Sequence, residues 1–502
     1  MDPVVIFLIL SFPIVYLFCY HNKRVDGLSA PPGPRGLPFI GNFYPIYKST
    51  CAHEYISNLS KRYGSLMTLR LGSVPVLIVS SPKMAQEVLK TQDLVYCSRA
   101  EMTGTKKLSY NGRDMAFAPY NDHWRHVRKL CTLELFTQKR AQLNFRPVRE
   151  DEVARMIGRF AEAAAASEHV NGFEYFSNYA TSIISRVAFG KRYDEDTLGK
   201  EKFKRMVADI ETMFAAFFVS DFFPMFGWID RLSGLKAILD RNFKEMDMFY
   251  QELIDEHSRP VRPKSSTEDL IDVMLKNKSS TFTEDSMKAI LLNIFSGGIG
   301  TTGSALVFSM TALMRNPRVM KKAQEEIRRV IGKKGIVNED DIQNLPYLRL
   351  VVKETLRLYP PGPLLIPRVT MGTSILGEDE DHMYMIKPNT IVYVNTWGIG
   401  RDPKIWKNPL EFEPERFLER PDYNYAGTQF EYLPFGAGRR ICVGIIIGQS
   451  NVELGLANLL YSFDWEPPIG MKFEDIDDQP TNGLTLAKKN PLYIRPKLHV
   501  RP

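Results

Sequence analysis

The sequence predicts a mainly α protein with a minor β region. Apolar residues recur at helical spacing through most of residues 81–358. Clear β patterns are confined to two stretches. LMTLRLGSVPVLIV, residues 66–79, alternates and then runs apolar around a Gly-Ser pair, which predicts a hairpin. MYMIKPNTIVYVNTW, residues 383–397, predicts a second β region. Strands and helices do not alternate in the way that builds a parallel dinucleotide-binding sheet.

Length and composition favour one large globular domain. The 502 residues are 44% hydrophobic and 25% charged, and they contain no repeat or low-complexity segment. Five cysteines, odd in number and never in CxxC spacing, argue against a disulfide framework or a zinc finger and favour a reducing compartment. The net charge of +7 is spread along the chain, so no nucleic-acid partner is expected, whereas an anionic membrane or an acidic protein is compatible.

The N-terminus predicts a membrane anchor. Residues Val4 to Phe18 are almost entirely apolar, and the cations Lys23 and Arg24 follow them. A secretory signal carries its positive charge before the apolar run, so this order instead leaves the body in the cytosol. We expect a transmembrane anchor over 1–20, with an interfacial helix as the alternative, a basic and proline-rich hinge over 21–38, and a single catalytic domain over 39–502.

The stretch FSGGIGTTGSAL contains a GxGxxG spelling at Gly298, Gly300 and Gly303. A dinucleotide loop needs a strand before these glycines and an acidic residue at a later strand end. The preceding apolar residues instead lie at helical spacing: Met287, Ile290, Leu291, Ile294 and Phe295. Thr281 and Glu284 stand in capping-box spacing and predict the start of this helix. The glycines therefore belong to a helix and not to a nucleotide-binding loop.

A cysteine near the C-terminus lies in a basic, glycine-rich loop. Cys442 ends PFGAGRRIC and precedes a helical pattern, so the helix N-terminus and the nearby Arg439 and Arg440 should stabilise its thiolate. Four residues of the loop could lie against a flat group: Phe435, Gly436, Gly438 and Gly444. A structural thiol needs none of these features.

FGAGRRICVG matches the FxxGxRxCxG signature of the haem-thiolate monooxygenases, the cytochrome P450 superfamily. The chain also resembles this family, in order, in PPGPRGLPFIGN, WRHVRKL, KETLRLYPP and PERF, and it is most similar to the plant A-type microsomal enzymes. The resemblance implies the cytochrome P450 fold, heme b with its iron bound by Cys442, and O2 as co-substrate. It also implies electrons from NADPH through an NADPH–cytochrome reductase, with cytochrome b5 as an optional donor, and a single-pass anchor in the endoplasmic reticulum membrane.

The resemblance assigns roles to particular residues. The Cys442 thiolate would push electron density through the iron. The groups expected to hold the haem propionates are Trp124, Arg128, Arg368 and Arg440. Glu354, Arg357 and Arg416 resemble the buried ionic triad behind the haem loop, for which a surface helix salt bridge is the alternative. His123 and His126 form an HxxH pair that a solvated helix face explains better than a metal site.

The long helix of the family carries [AG]Gx[DE]T, and this sequence departs from it at one position. Gly297 and Gly298 match the start of the motif, where a kink opens an oxygen groove, and Thr301 takes the place of the threonine. Gly300 stands where the proton-relaying acid should be. General acid–base steps of this kind contribute typically about 10² to 10⁴-fold. If the missing acid limits proton delivery, Gly300→Asp should raise the coupling of NADPH consumption to product.

Three functions stay open. The first is a monooxygenase that oxidises a small, apolar plant specialised metabolite. The second is a haem-thiolate enzyme that catalyses a rearrangement, cyclisation or dehydration with little oxygen insertion, and the third is a haem-binding protein without turnover. By resemblance, the pocket residues are Leu292, Ile294, Phe295, Gly297, Leu364, Leu365, Ile366 and Leu484. FAAFFVSDFFPMFGW, residues 214–228, should form a lipid-facing lid at the substrate entrance.

Overall fold

The computed structural model describes residues 28–192, 197–259 and 268–499. The membrane anchor predicted over 1–20 and the first part of the hinge lie outside these described residues. Helices dominate the described chain and the strands are short, so the predicted mainly α fold with a minor β region is confirmed.

The α-helices are, in chain order, α1 (Phe43–Lys48), α2 (Ala52–Tyr63), α3 (Pro82–Gln86), α4 (Asp93–Tyr96), α5 (Thr103–Leu108), α6 (Asp122–Leu130), α7 (Gln138–Arg140), α8 (Arg146–Ala165), α9 (Gly172–Phe189), α10 (Thr197–Ala215), α11 (Val219–Phe222), α12 (Ile229–Leu232), α13 (Leu235–His257), α14 (Leu270–Lys276), α15 (Glu284–Arg315), α16 (Pro317–Ile331), α17 (Glu339–Ile342), α18 (Pro346–Leu358), α19 (Thr396–Ile399) and α20 (Ile445–Ser462). Single π-helical turns extend α3, α6 and α7, and short 3₁₀ turns lie at Pro224–Phe226, Pro414–Leu418, Gly438–Arg440 and Phe473–Asp475.

The strands are β1 (Leu66–Leu71), β2 (Val74–Val79), β3 (Val170–Asn171), β4 (Arg368–Val369), β5 (Ser374–Gly377), β6 (Met383–Ile386), β7 (Ile391–Val394), β8 (Phe463–Glu466), β9 (Pro480–Thr481), β10 (Ala487–Lys488) and β11 (Tyr493–Leu498). They form a four-stranded sheet in the order β1-β2-β7-β4, a three-stranded sheet β3-β11-β8, and the pairs β5-β6 and β10-β9. Only the β2–β7 pairing is parallel.

The two predicted β regions meet in the main sheet. β1 and β2 form the predicted hairpin, with Leu71 opposite Val74 beside the turn. The second region divides, because β6 pairs with β5 whereas β7 crosses to pair with β2. The proline-rich connector also joins this part of the body. Thr68 donates its backbone N–H to the Pro32 carbonyl at 2.9 Å, and Met385 donates to the Ser29 carbonyl at 3.1 Å. From Ser29 onward, the hinge is therefore packed on the body.

Helix α15 forms the centre of the core. Its N-cap is Thr283 and its first turn carries Glu284 and Asp285, which complement the positive end of the helix dipole. The capping box predicted from Thr281 is therefore wrong by two residues, since Thr283 directly precedes the first helical residue. Among the described residues, α15 alone is by itself long and apolar enough to cross a membrane, and a segment pair bent by 105° between 205 and 232 meets the same criterion jointly. Most of the apolar part of α15 is buried inside the protein, as in a core helix.

Three helices pack against α15 and fix the surroundings of its glycine-rich turn. α9 runs along one side, α20 packs against another, and α10 approaches near the middle. The loop that ends in Cys442 leads directly into α20. The fold thus brings the two motifs of greatest chemical interest, far apart in sequence, to neighbouring helices of one core.

Candidate haem site

One face of α15 is open at Gly297. Apart from the adjacent residues and the nearby helix backbone, no heavy atom of the described residues lies within 4 Å of a Cβ atom built on this glycine, and the residue is exposed although the preceding turns are buried. Thr301, one helical turn later, donates its hydroxyl to the Gly297 carbonyl at 2.6 Å. The hydroxyl therefore lies beside the open face, where a bound group would meet it.

Two other glycines of this turn allow helices to pack closely. A Cβ atom on Gly298 would lie 2.5 Å from Cδ1 of Ile184 on α9, and one on Gly303 would lie 3.2 Å from the Ser177 hydroxyl. Gly298 was expected to open an oxygen groove. The structure instead gives it a packing role against α9, and the open position is Gly297.

The structure divides the predicted pocket residues on α15 into two groups. Phe295 stacks on Phe189 at 4.6 Å and meets the edge of Phe203 at 5.2 Å, within an aromatic part of the core. Leu292 is completely buried. Both lie on the side of the helix turned away from Gly297, among core side chains, and their assignment to the pocket stays a prediction. Ile294 lies nearer the open face, but it is also buried.

The later pocket residues are partly accessible. Leu364, Leu365 and Ile366 follow the proline-rich turn after α18, and Leu365 has a positive φ of 53°. Its side chain lies 3.5 Å from the Cβ position of Gly436, so it borders the cysteine loop. Leu484 is exposed, and its neighbour Thr485 instead approaches α15.

The Cys442 side chain faces open space inside the fold. It is exposed, whereas Cys51, Cys97 and Cys131 are buried. Surrounding protein nevertheless raises the pKa of the Cys442 thiol through desolvation, and this is opposed by the Gly444 backbone N–H and the charge of Arg128. A Cβ atom on Gly444 would lie 3.8 Å from the sulfur. The thiol is therefore accessible to a ligand and has a donor and a cation nearby.

The cationic neighbour of the thiol differs from the sequence prediction. Arg128 donates to the carbonyl of Ile441 at 2.5 Å, directly beside Cys442. Arg439, which was expected to act on the sulfur, is exposed and its backbone N–H donates to Asp93 at 2.9 Å. Arg440 turns to the other side of the loop and donates to the Cys97 and Ala118 carbonyls.

The cysteine loop requires glycine at two sharp positions. Gly436 has φ +71° and Gly438 has φ +70°, a region that residues with a Cβ atom rarely adopt. A Cβ atom on Gly438 would lie only 1.9 Å from the Leu89 carbonyl oxygen. Phe435, directly before Gly436, packs edge-on against Tyr425 at 5.3 Å.

Buried arginines surround the loop. Arg368 is held by Asp93 at 2.6 Å and by the Ala437 carbonyl at 2.9 Å. Burial lowers the pKa of Arg440 to about 9, and it lowers the pKa of Arg99 and Arg368 as well. Their mutual repulsion adds to this effect for Arg99 and Arg440. Each guanidinium donates to backbone carbonyls. Carbonyls are neutral, so they do not balance the positive charge of the guanidinium.

Trp124 positions one of these arginines. Its indole N–H donates to the Met115 carbonyl at 2.9 Å, and its ring lies 3.9 Å from the guanidinium carbon of Arg440. Its ring thus supports Arg440 through a cation–π contact, and its assignment to a propionate stays a prediction.

A second network ties this region to α15, and the sequence did not predict it. The side-chain oxygen of Asn293 accepts from the backbone N–H groups of Met115 and Ala116, both at 2.9 Å. Its NH2 group donates to Asp114 at 2.9 Å. Burial raises the pKa of the Asp114 carboxyl in spite of these bonds. The only sequence signal is a polar residue within the apolar helix, one helical turn before Gly297.

The donor set fits haem. The buried guanidiniums of Arg99, Arg368 and Arg440 and the half-buried one of Arg128 lie around one loop, and desolvation lowers the pKa of each. Anionic carboxylates beside them would relieve this cost. An accessible thiol and an open glycine face accompany the charge. A flat group that carries carboxylates and a metal ion matches all three features.

A buried ionic triad supports the back of the loop. Arg357 donates to both carboxylate oxygens of Glu354, at 2.7 and 2.8 Å, and Arg416 donates to one of them at 3.0 Å. The side chain of Glu354 is completely buried. Arg357 also donates to the carbonyls of Pro409 and Glu411, so the triad joins α18 to the segment that precedes the cysteine loop.

Comparison with known proteins agrees with this geometry. The family model described as cytochrome P450 matches residues 31–495. The chain is 82% identical to xanthotoxol synthase and 71% identical to 6,7,8-trihydroxycoumarin synthase, both of Pastinaca sativa, and each alignment spans 504 residues and covers 100% of both chains. A zebra fish cytochrome P450 structure with progesterone superimposes with a TM-score of 0.76 at 25% identity, covering 89% of this chain and 99% of that chain.

We predict that Glu354→Ala destabilises the protein by about 3–5 kcal/mol, because it leaves two arginine charges buried without their carboxylate. Urea unfolding gives the free-energy change. Glu325→Ala is the matched control, since Glu325 also pairs with a cation on a helix, Lys321, but is 66% exposed. Its loss should cost at most about 0.5 kcal/mol. Equal costs for the two variants would contradict a buried structural triad.

Proposed function

We propose, since the chain belongs to the cytochrome P450 family, that this monooxygenase hydroxylates the aromatic ring system of a coumarin or furanocoumarin. The observation that carries the substrate class is the identity of 82% and 71% to two enzymes named for coumarin products, over the full length of each chain.

Bound haem would supply an iron that activates O2, and a cysteine thiolate would hold that iron. We assign that ligand to Cys442, because its sulfur is accessible and lies near the Gly444 N–H and Arg128. We assign the propionates to Arg368, Arg440 and their neighbours, because these guanidiniums are buried with too few carboxylates to balance them. Trp124 holds Arg440 in place.

The open face of α15 would leave room for a flat substrate. Gly297 leaves this face without a side chain, and Thr301 presents a hydroxyl next to it. Phe117 and Phe214 stack at 4.7 Å, and Phe117 directly follows the segment that Asn293 holds. Aromatic rings and leucine side chains favour a planar, weakly polar substrate over a charged one.

One observation favours a second candidate function. Gly300 replaces the acid of the family motif, and impaired proton delivery would favour a rearrangement, cyclisation or dehydration over oxygen insertion. The same chain retains the hydroxyl of Thr301, and a carboxylate from another helix reaches position 300. We therefore rank hydroxylation first.

Electrons come from a separate reductase, for which we propose an NADPH-dependent flavoprotein, with cytochrome b5 as an additional donor. Arg125, Lys129 and Arg439 are exposed near the cysteine loop and its supporting helix α6. These cations would attract an acidic protein surface to the side of the molecule that carries Cys442.

We also propose that the enzyme sits on the endoplasmic reticulum membrane through more than its N-terminal anchor. Exposed apolar side chains cluster in two segments: Leu37, Phe39, Tyr44 and Tyr47 in the first, and Met225, Phe226, Trp228 and Leu232 in the second. Phe43 of the first segment packs at 4.2 Å on Phe217, which precedes the second segment. An apolar patch of this kind is typical of a membrane-facing surface.

The substrate proposal predicts that coumarins and furanocoumarins are hydroxylated when the full-length enzyme is supplied with a reductase, NADPH and ¹⁸O2. Mass spectrometry should find one labelled oxygen atom in the product. Terpenoid, alkaloid and aldoxime panels serve as the comparison and should give weak binding spectra. An unlabelled, rearranged product would favour the second candidate function, and turnover of another panel alone would exclude the coumarin assignment.

The membrane proposal predicts that brominated lipids quench the fluorescence of Trp228. This tryptophan is 56% exposed, whereas the other four, Trp124, Trp397, Trp406 and Trp465, are at most 5% exposed. Full-length enzyme in brominated vesicles should be quenched, and Trp228→Phe should remove most of the quenching. Trp465→Phe is the control and should retain it. Quenching that survives Trp228→Phe unchanged would place this surface away from the bilayer.

A further inference from the structure

Position 300 of α15 is occupied by glycine, yet a carboxylate lies there. A Cβ atom built on Gly300 would be 2.9 Å from Oε1 of Glu211, a distance that real Cβ atoms essentially never show. The next nearest atoms belong to Thr485, whose hydroxyl is 3.7 Å from the same point. With no side chain at position 300, the Glu211 carboxylate comes this close to the helix.

Glu211 is carried by α10 and lies on the turn that faces α15. Its neighbours Ile210 and Met213 are buried and fix this part of α10 against the core. The Glu211 side chain itself is exposed on one side, so water can reach it. Protein on the other sides raises the pKa of the carboxyl through burial, and no neighbouring charge or hydrogen bond in the described part of the chain lowers it.

No cation in the described part of the chain pairs with Glu211, so a structural ion pair does not explain its position. An acid next to Thr301 is what the family motif would place at 300, and here the motif has glycine. The glycine at position 300 and the carboxylate of Glu211 lie at the same place. A carboxylate that is missing from α15 is replaced, within 2.9 Å, by a carboxylate from a different helix.

We propose that Glu211 is the proton-delivering acid of this enzyme and takes the place of the acid that position 300 lacks. The inference rests on the proposed monooxygenase function, whose reaction reduces one atom of O2 to water and consumes protons. The Glu211 O–H bond breaks as its proton passes to water or to the Thr485 hydroxyl, which passes its own proton on toward Thr301. Solvent on the exposed side then returns a proton to the Glu211 carboxylate, so the residue is restored in each cycle.

Glu211→Gln tests this role, because glutamine keeps the shape of the side chain but cannot release a proton. We expect the rate of product formation to fall about 10²-fold while NADPH consumption continues and peroxide is released. The Kd of the substrate, from the binding spectrum, should be unchanged. Glu245→Gln is the matched control, since Glu245 is an exposed carboxylate on the neighbouring α13. This variant should couple NADPH consumption to product formation as the wild type does.

A double variant separates proton delivery from structure. Gly300→Asp alone should not raise coupling, contrary to the expectation from the sequence, because its Cβ atom and charge would meet Glu211. In Glu211→Gln/Gly300→Asp, the acid returns to α15 and no second carboxylate opposes it. We expect this variant to form product at least about tenfold faster than Glu211→Gln, since one positioned acid is enough.

A readout without turnover checks the environment of Glu211. A raised carboxyl pKa means that the unfolded state ionises first as pH rises above the ordinary value of 4.5, so the wild type loses stability relative to Glu211→Gln over that range. The difference in thermal unfolding midpoint should grow as pH rises from 4.5 and then level off above the folded pKa. Glu245→Gln should show no such pH-dependent difference.

These experiments test the role of Glu211 separately from the proposed monooxygenase function. A wild type that forms no hydroxylated product counts against the function, whereas the unfolding measurement still reports on Glu211. Normal coupling in Glu211→Gln would overturn the proposal, and so would a double variant without recovery. A raised substrate Kd that accounts for the whole loss would overturn it as well, because the carboxylate would then bind the substrate. An unfolding difference that does not vary with pH would show that the carboxyl is fully solvated.

Discussion

The site depends on an excess of buried positive charge around one loop. Arg99, Arg368 and Arg440 lie close enough to lower one another's pKa or to share the same carboxylates, and the interior offers them few anions. Taking guanidiniums out of water is costly unless carboxylates or thiolates accompany them. The accessible sulfur of Cys442 and the open face at Gly297 lie beside this charge. A cofactor that brings carboxylates would therefore also stabilise the loop, because it would balance the arginine charges. Behind the loop, the carboxylate of Glu354 neutralises the buried charge of Arg357 through a bidentate pair.

Helix α15 carries the second constraint, because one turn must meet a different neighbour on every side. Gly297 leaves space, Gly298 admits Ile184, and Gly300 admits Glu211. Within four positions, glycine thus leaves open space, allows close helix packing and gives room to a carboxylate. Up to about 1 kcal/mol of helix propensity is lost at each glycine, and the close packing of α9 and α10 offsets it.

Local motifs predicted much of this arrangement. The hairpin and the Glu354–Arg357 pair are local, so their spacing in sequence fixes their spacing in space, whereas Arg416 was assigned to the triad by resemblance to the family. The parts that local patterns do not specify depend on contacts between distant segments. Helical periodicity shows that Phe295 lies on a face, but not that this face turns toward Phe189 and away from the open side. Nothing local joins Asn293 to Met115, or Glu211 to Gly300, because these pairs meet only when separate helices pack.

The central claim is that Cys442, and no other cysteine, provides the thiolate that binds haem iron. The most direct measurement is the absorption spectrum of the reduced, CO-bound protein for Cys442→Ser beside Cys51→Ser. Cys51 is buried beside His53, and burial raises the pKa of its thiol to about 11, so it serves as a matched thiol elsewhere in the fold. We predict that Cys442→Ser loses the thiolate-type Soret band and that Cys51→Ser keeps it. A thiolate-type band that survives in Cys442→Ser would contradict the account.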